Sequence, residues 1–308
     1  MTPLDPNPVA DSGPPPRRRM IALTSRGEPA QLAALDFGDP ARPIDVVFLH
    51  ANGFNAMTYR SALSPLADRM RILAVDQQGH GRSPQRASAE GRMDWHDLRD
   101  DLLGLLAALG GPPPVLAGHS MGGAVSILAA AERPAAVRAL ALFDPVIVPR
   151  DMVVAARDLT EPPFRDNPLA VGARRRRAHF PSRAAAIESY TGRGAFRTWP
   201  ARALADYVLD GFKDRPDGEV ELAAAPDWES SNFSAHLNDV WSALDVLRAP
   251  IAILRAEIGS TCHLTSAEPY RGRNPDFRVD TIPGTTHFLP LERPDLVAAT
   301  LTEVVGRG

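Results

Sequence analysis

Ser120 stands between two glycines in the run Gly118-His119-Ser120-Met121-Gly122, directly after the apolar stretch Pro114-Val115-Leu116-Ala117. The apolar stretch reads as a short buried strand, and residues 122–131 have the small, apolar content of a packed helix. With the Cβ atoms of positions 118 and 122 absent, the backbone can turn sharply at this strand-to-helix corner and project the serine hydroxyl from a strained conformation. The G-x-S-x-G spacing is that of a nucleophile elbow. A serine hydroxyl is a poor nucleophile at neutral pH, so the chemistry needs a base within about 2.6 to 3.2 Å to take its proton. It also needs hydrogen-bond donors aimed at the charge that develops on an attacked carbonyl oxygen.

Such a corner must be carried by a sheet. Short apolar runs recur at Val46–Leu49, Ile72–Val75, Val115–Ala117, Leu140–Phe143 and Ile251–Leu254, with helical patterns between them. Continuous apolar strands alternating with helices predict a doubly wound α/β fold with a mostly parallel sheet. Met20–Ser25 and Ala30–Phe37 predict a hairpin at one edge, turning at Arg26-Gly27-Glu28-Pro29. The strand rhythm stops between residues 148 and 245, where no strand-like run is read. There ARRRRAHF, RAAAIESYTGRGAF and PARALADYVLDGF have the pattern of short amphipathic helices. The rhythm resumes at Pro250, so 148–245 is expected to be a helical lid inserted into one core made of 20–147 and 246–308.

Composition narrows the function classes. The chain has 308 residues, 44% hydrophobic and 23% charged, with a formal net charge of -3, which fits a globular protein and offers no basic footprint for nucleic acid. No apolar run approaches the roughly 20 residues that span a bilayer. The single cysteine, Cys262, has no intramolecular partner, so an oxidising compartment is not required. Residues 1–19 hold six prolines and three arginines but no apolar signal core, and are expected to be a disordered tail. A cytoplasmic location is the expectation.

LHANGF at 49–54, DQQGHGRS at 76–83, GHSMG at 118–122 and PGTTHFLPLERP at 283–294 follow one another in order, each at a predicted strand end. Together, from Ile21 to Val305, they resemble the α/β-hydrolase superfamily, in particular its lidded, esterase-like serine hydrolases. The resemblance implies an eight-stranded sheet and a Ser-His-acid triad cleaving a small-molecule acyl substrate without cofactor. It places the base in the loop holding His287, after the strand Phe277–Ile282 that Pro283-Gly284 would end; serine before histidine is the expected chain order. His119 is read as support beside the serine, His50 as a brace for the loop after Leu49, and His80 and His96 as turn and surface residues. No histidine pair has metal-ligand spacing such as H-E-x-x-H, so no metal is expected. The oxyanion donors implied are the N–H of Met121 and a second N–H from the loop after Leu49. His50-Ala51-Asn52-Gly53-Phe54 departs from the relatives' His-Gly pattern there, so the second donor is Asn52 or, with two residues inserted, Phe54.

The acid is where the chain departs further. Relatives commonly end the corresponding strand in R-G-E-x-D, whereas this chain reads Leu254-Arg255-Ala256-Glu257-Ile258-Gly259-Ser260. Two carboxylates remain: Asp144 in ALFDPVI, at a strand end from which haloalkane dehalogenases supply their acid, and Glu257. A carboxylate that orients the imidazole is required, and Asp144 is preferred over Glu257. Asp76 is expected to organise its own turn with Gly79 and Gly81. Serine rather than aspartate at the elbow argues against dehalogenase and epoxide-hydrolase chemistry. The lid aromatics are expected to form an apolar wall, and Phe54, Trp199 and Phe233 are singled out as substrate contacts. Hydrolysis of a lactone, thioester or carbon–carbon bond suits the same residues, and a ligand-binding receptor on a hydrolase fold is the reading that a displaced acid would favour.

Overall fold

The computed structural model describes residues 15–162, 164–235 and 237–307. Runs of four or five Val, Ile, Leu, Ala and Phe side chains are apolar on both faces, and they become strands with no exposed residue: β3 (Val46–Leu49), β4 (Ile72–Val75), β5 (Val115–His119) and β6 (Ala139–Phe143). They join β1 (Arg17–Ser25), β2 (Glu28–Phe37), β10 (Ile251–Ile258) and β11 (Phe277–Thr286) in one eight-stranded sheet of order β1-β2-β4-β3-β5-β6-β10-β11. Only the β1/β2 and β2/β4 pairs are antiparallel.

Three expectations are corrected by this sheet. The hairpin turn is two residues long, not four, because Glu28 and Pro29 pair with Ser25 and Thr24, leaving Arg26 and Gly27 at φ 53° and 80°. Arg17–Arg19 belong to β1 rather than to a tail. Buried Asp36 on β2 draws in Arg17 at 3.1 Å and Arg19 at 3.4 Å beside Arg71 at 2.9 Å, while Arg18 pairs with Asp210 at 2.6 Å; positions 1–14 lie outside the described residues. Strand β11 also does not end at Pro283. It runs on to Thr286 across a bulge in which Ala256 faces Ile282 but Ile258 faces Thr286.

The helices are α1 (Arg60–Leu63), α2 (His96–Leu109), α3 (Met121–Glu132), α4 (Arg150–Ala156), α5 (Pro168–Arg174), α6 (Arg183–Tyr190), α7 (Ala201–Gly211), α8 (Pro226–Ser234), α9 (Val240–Val246), α10 (Leu289–Glu292) and α11 (Pro294–Gly306). Alternate residues of each central strand face opposite layers. Val47, Leu49, Leu73, Val75, Leu116, Leu140 and Leu142 pack with α2 and α3, while Val46, Phe48, Ile72, Ala74, Val115 and Phe143 pack with α1 and α11. The second layer continues without a break into Phe180, Trp199, Tyr207 and Phe212 of the insert, so core and insert share one apolar cluster.

The insert is not purely helical. Strands β7 (His179–Phe180), β8 (Phe212–Asp214) and β9 (Val220–Leu222) form a small antiparallel sheet of order β7-β9-β8. Two- and three-residue strands are too short to show a period of two in the sequence. Burial of Phe180, Phe212, Val220 and Leu222 holds them together.

Candidate active site

The elbow is built by close backbone approach. Ser120 has φ 55° and ψ -120°, a conformation that costs a non-glycine residue about 1 to 3 kcal/mol and persists only where the surroundings enforce it. They do: a Cβ on Gly118 would lie 2.5 Å from the Gly122 carbonyl, and a Cβ on Gly122 would lie 2.5 Å and 2.6 Å from the carbonyl oxygens of Leu49 and His50. The glycines thus let the first turn of α3 pack against both β5 and the loop after β3.

His287, in the loop after β11, meets this serine. Its Nε2 lies 3.0 Å from Ser120 Oγ, and its Nδ1 lies 2.6 Å from Asp144 Oδ2. With Nδ1–H donating to the carboxylate, the Nε2 lone pair faces the serine hydroxyl. Asp144, just after β6, is fully buried and sits in the left-handed region at φ 43°. Its Oδ1 accepts from the Ala256 N–H at 2.8 Å and Ser260 Oγ at 2.5 Å, and its Oδ2 also accepts from the Thr261 N–H at 3.0 Å. Burial alone would raise this carboxyl; the His287 hydrogen bond and charge, with Ser260 and the Ala256 N–H, hold it below its ordinary value. The end of β10 and the loop after it supply the donors to this acid from the end of β6. Glu257 is placed elsewhere: its Oε2 accepts the Gly284 N–H at 2.9 Å inside the β10/β11 bulge.

The loop after β3 presents three consecutive N–H groups, and two are already used. The Gly53 N–H donates to His80 Nε2 at 3.1 Å, and that of Phe54 donates to the Ala51 carbonyl at 3.1 Å. The Asn52 N–H has no protein acceptor among the described residues, and neither has that of Met121, the first residue of α3. The spent Phe54 N–H argues against Phe54 and for Asn52 as the second free donor. A chain of hydrogen bonds ties this loop to the histidine loop: the Ala51 N–H donates to Tyr59 Oη at 3.0 Å, Tyr59 O–H to His119 Nδ1 at 2.7 Å, and His119 Nε2–H to the His287 carbonyl at 2.7 Å. Burial and the neighbouring His287 push His119 down to about 3, which keeps the ring neutral in that tautomer.

The remaining expected residues divide. His50 braces its loop, with Nδ1 on the Ala51 carbonyl at 2.7 Å and Nε2 accepting the Gln77 N–H at 3.0 Å. His80 is not a surface turn residue; it is fully buried because its ring holds the Gly53 N–H and the Gln78 carbonyl. His96 does lie at the surface, beside Asp94. Asp76 accepts the N–H groups of Ala56 at 2.8 Å and Arg82 at 2.9 Å, organising its turn. Buried Cys262 has its thiol pushed up to about 12 by burial and by Asp144. Phe54 and Trp199 are in ring contact at 4.9 Å, and both touch Phe288, next to His287. Phe233, on α8, is not among the rings around them; its carbonyl accepts from Asn167, the N-cap of α5. Sequence reading missed Glu229, which stands beside the 51–54 loop, and Arg176, which is paired with it. Arg176 is hidden in a run of four arginines whose other three members are exposed.

A sequence model for the alpha/beta hydrolase family matches residues 46–300, and the chain belongs to that family; it is a hydrolase. It is 26% identical over 264 residues to 2-(acetamidomethylene)succinate hydrolase of Mesorhizobium japonicum (strain LMG 29417 / CECT 9101 / MAFF 303099), covering 84% of this chain and 87% of that one. The crystal structure of E-2-(acetamidomethylene)succinate hydrolase superposes with a TM-score of 0.74 at 22% identity, covering 94% of this chain and all of the other. An M. tuberculosis esterase superposes at 0.69 with 23% identity, covering 96% and 92%. At such identities the two structures speak for the fold alone. Among the described residues no helix is long and apolar enough to cross a membrane.

Proposed function

We propose that this hydrolase cleaves a carboxylic ester or related acyl compound through an acyl-enzyme on Ser120, with His287 as general base and acid and Asp144 as the orienting carboxylate. The single observation that carries the reading is the unbroken line from Asp144 Oδ2 through His287 to Ser120 Oγ, at 2.6 Å and 3.0 Å. Serine attacks the carbonyl as Nε2 takes its proton; the tetrahedral oxyanion is received by the N–H groups of Met121 and Asn52; the imidazolium then protonates the leaving group, and water repeats the sequence in reverse. Asp144 keeps Nδ1 protonated and stabilises the imidazolium. Residues 148–245 act as a cap, with Trp199 and Tyr207 walling the site against Phe54 and Phe288. The receptor reading drew on a displaced acid; with Asp144 hydrogen-bonded to His287 it loses that motive.

The test is labelling with a fluorophosphonate and turnover of p-nitrophenyl acetate by wild type, Ser120→Ala and His287→Ala. Both activities should be present in wild type and abolished in each variant. A wild-type protein that neither labels nor turns over would refute the proposal.

A further inference from the structure

The loop that offers the Asn52 N–H is not shaped by the core alone. Helix α8 of the cap lies on it. Asn52 Nδ2 donates to the backbone carbonyl of Glu229 at 2.9 Å, and the Glu229 carboxylate lies so close to Gly53 that a Cβ there would be 2.5 Å from Oε1. Gly53 is at φ 74°, so this position suits glycine both for its backbone and for the space the carboxylate takes. The Glu229 carboxylate is itself fixed by an ion pair with Arg176. The same guanidinium donates to Tyr207 Oη at 2.8 Å and to Tyr190 Oη at 3.2 Å, and the Tyr207 ring packs on Phe54 with centroids 6.0 Å apart. One cation therefore joins two of the contacts that the cap makes with this loop, Glu229 against Asn52-Gly53 and Tyr207 against Phe54. Helix α8 is anchored to the core next door, where Trp228 Nε1 donates to the Gln78 carbonyl at 3.1 Å and Arg92 lies 4.3 Å over the Trp228 ring.

We propose that Arg176 and Glu229 are positioning residues for the oxyanion donor: the cap, docked through this pair, fixes the 51–54 backbone so that the Asn52 N–H stays unpaired and points at the reacting carbonyl oxygen. The inference rests on the serine hydrolase reading and adds that the cap completes the catalytic constellation as well as covering it. A planar guanidinium holds a carboxylate and two phenol oxygens at once, which the point charge of lysine does not reproduce. Removing the charge from Glu229 leaves the half-buried guanidinium without its counter-ion.

The experiment compares full-length wild type, Arg176→Lys and Glu229→Gln, with active sites titrated by the fluorophosphonate so that misfolded protein is not counted. On p-nitrophenyl acetate, kcat per titrated site should fall by about 10 to 100-fold, below the 10² to 10³-fold loss of a whole oxyanion donor, because the donor is displaced rather than deleted. KM should stay within about three-fold, and affinity for a trifluoromethyl ketone that forms a tetrahedral adduct should fall in step with kcat/KM. A merely structural role would lower the titratable fraction and the melting temperature while leaving kcat per site and adduct affinity unchanged. That result, or a loss carried wholly by KM, would overturn the inference while the hydrolase reading stands. A wild type that fails to label or turn over removes both.

Discussion

Replacing Asp144 by asparagine separates the two carboxylates that the sequence leaves in competition. Every acceptor site on Asp144 is in use: Oδ1 receives Ala256 N–H and Ser260 Oγ, and Oδ2 receives Thr261 N–H and His287 Nδ1–H. An amide must put its NH2 in one of those places. At the Oδ1 side it opposes the Ala256 N–H; at the Oδ2 side it opposes the Thr261 N–H and donates to Nδ1, driving the histidine proton to Nε2, where it faces serine and accepts nothing. One buried donor left unpaired costs about 1 to 3 kcal/mol of stability. The wrong tautomer costs about 10⁴ in kcat in a serine protease with the same three-residue logic, or about 5 kcal/mol of activation free energy. Asp144→Asn should therefore lose about four orders of magnitude in kcat on p-nitrophenyl acetate. Glu257→Gln should keep kcat within about two-fold, since among the described residues the Glu257 carboxylate holds only the Gly284 N–H and an amide oxygen can do the same. The reasoning is refuted if Asp144→Asn retains a tenth or more of wild-type kcat, or if Glu257→Gln shows the large loss instead.

Gly122→Ala tests the close approach behind the elbow. Its Cβ would meet two backbone oxygens at 2.5 Å and 2.6 Å, and pushing back the loop that carries Asn52 should lower kcat by about 10²-fold on the same substrate, with a stability loss of about 1 to 3 kcal/mol by urea unfolding. Asp206 of α7 gives a pH prediction. Burial raises its carboxyl to about 6, against the pull of Arg60, 3.9 Å away, and of Arg202, and with a push from Asp210. A carboxyl that binds its proton more tightly folded than unfolded adds stability below its ordinary value and loses it as pH rises through the folded one. From about pH 5 to pH 8 the wild type should therefore lose about 1 kcal/mol that Asp206→Asn does not lose. Urea midpoints measured across that range would settle it; parallel pH profiles for the two proteins would contradict the assignment.

Much of the fold and the central pair of the site are legible in the sequence because each is signalled by local chemistry. Apolar runs such as Val46–Leu49 announce strands, and glycines at 118 and 122 announce a backbone that must pass close to its neighbours. What the sequence hides is decided by partners far along the chain. Arg17–Arg19 look like a tail until buried Asp36 is found beside Arg17 and Arg19, and buried Asp210 beside Arg18. His80 sits in a glycine-rich turn and reads as exposed, but its ring is needed inside to cap the Gly53 N–H. The short strands between residues 179 and 222 have no period to read, and Arg176 is indistinguishable from the arginines around it until Glu229 and two tyrosines are placed. The choice between Asp144 and Glu257 depends on strand order, because β6 neighbours both β5 and β10 in the sheet.

That strand order also explains why the acid can move without dismantling the site. The end of β6 lies between the elbow of β5 and the end of β10, so a carboxylate on either β6 or β10 can face a histidine that enters from beyond β11. A buried carboxylate needs donors wherever it sits, and the end of β10 with the loop after it provides them: the Ala256 and Thr261 N–H groups and the Ser260 hydroxyl turn toward Asp144. Moving the aspartate to position 260 alone, in an Asp144→Asn/Ser260→Asp double variant, should recover at least about ten-fold of the kcat lost in Asp144→Asn, because both positions border the same imidazole through Thr261, whose Oγ1 lies 3.4 Å from His287 Nδ1. No recovery in a folded double variant would mean that the histidine approaches along a direction only β6 can serve.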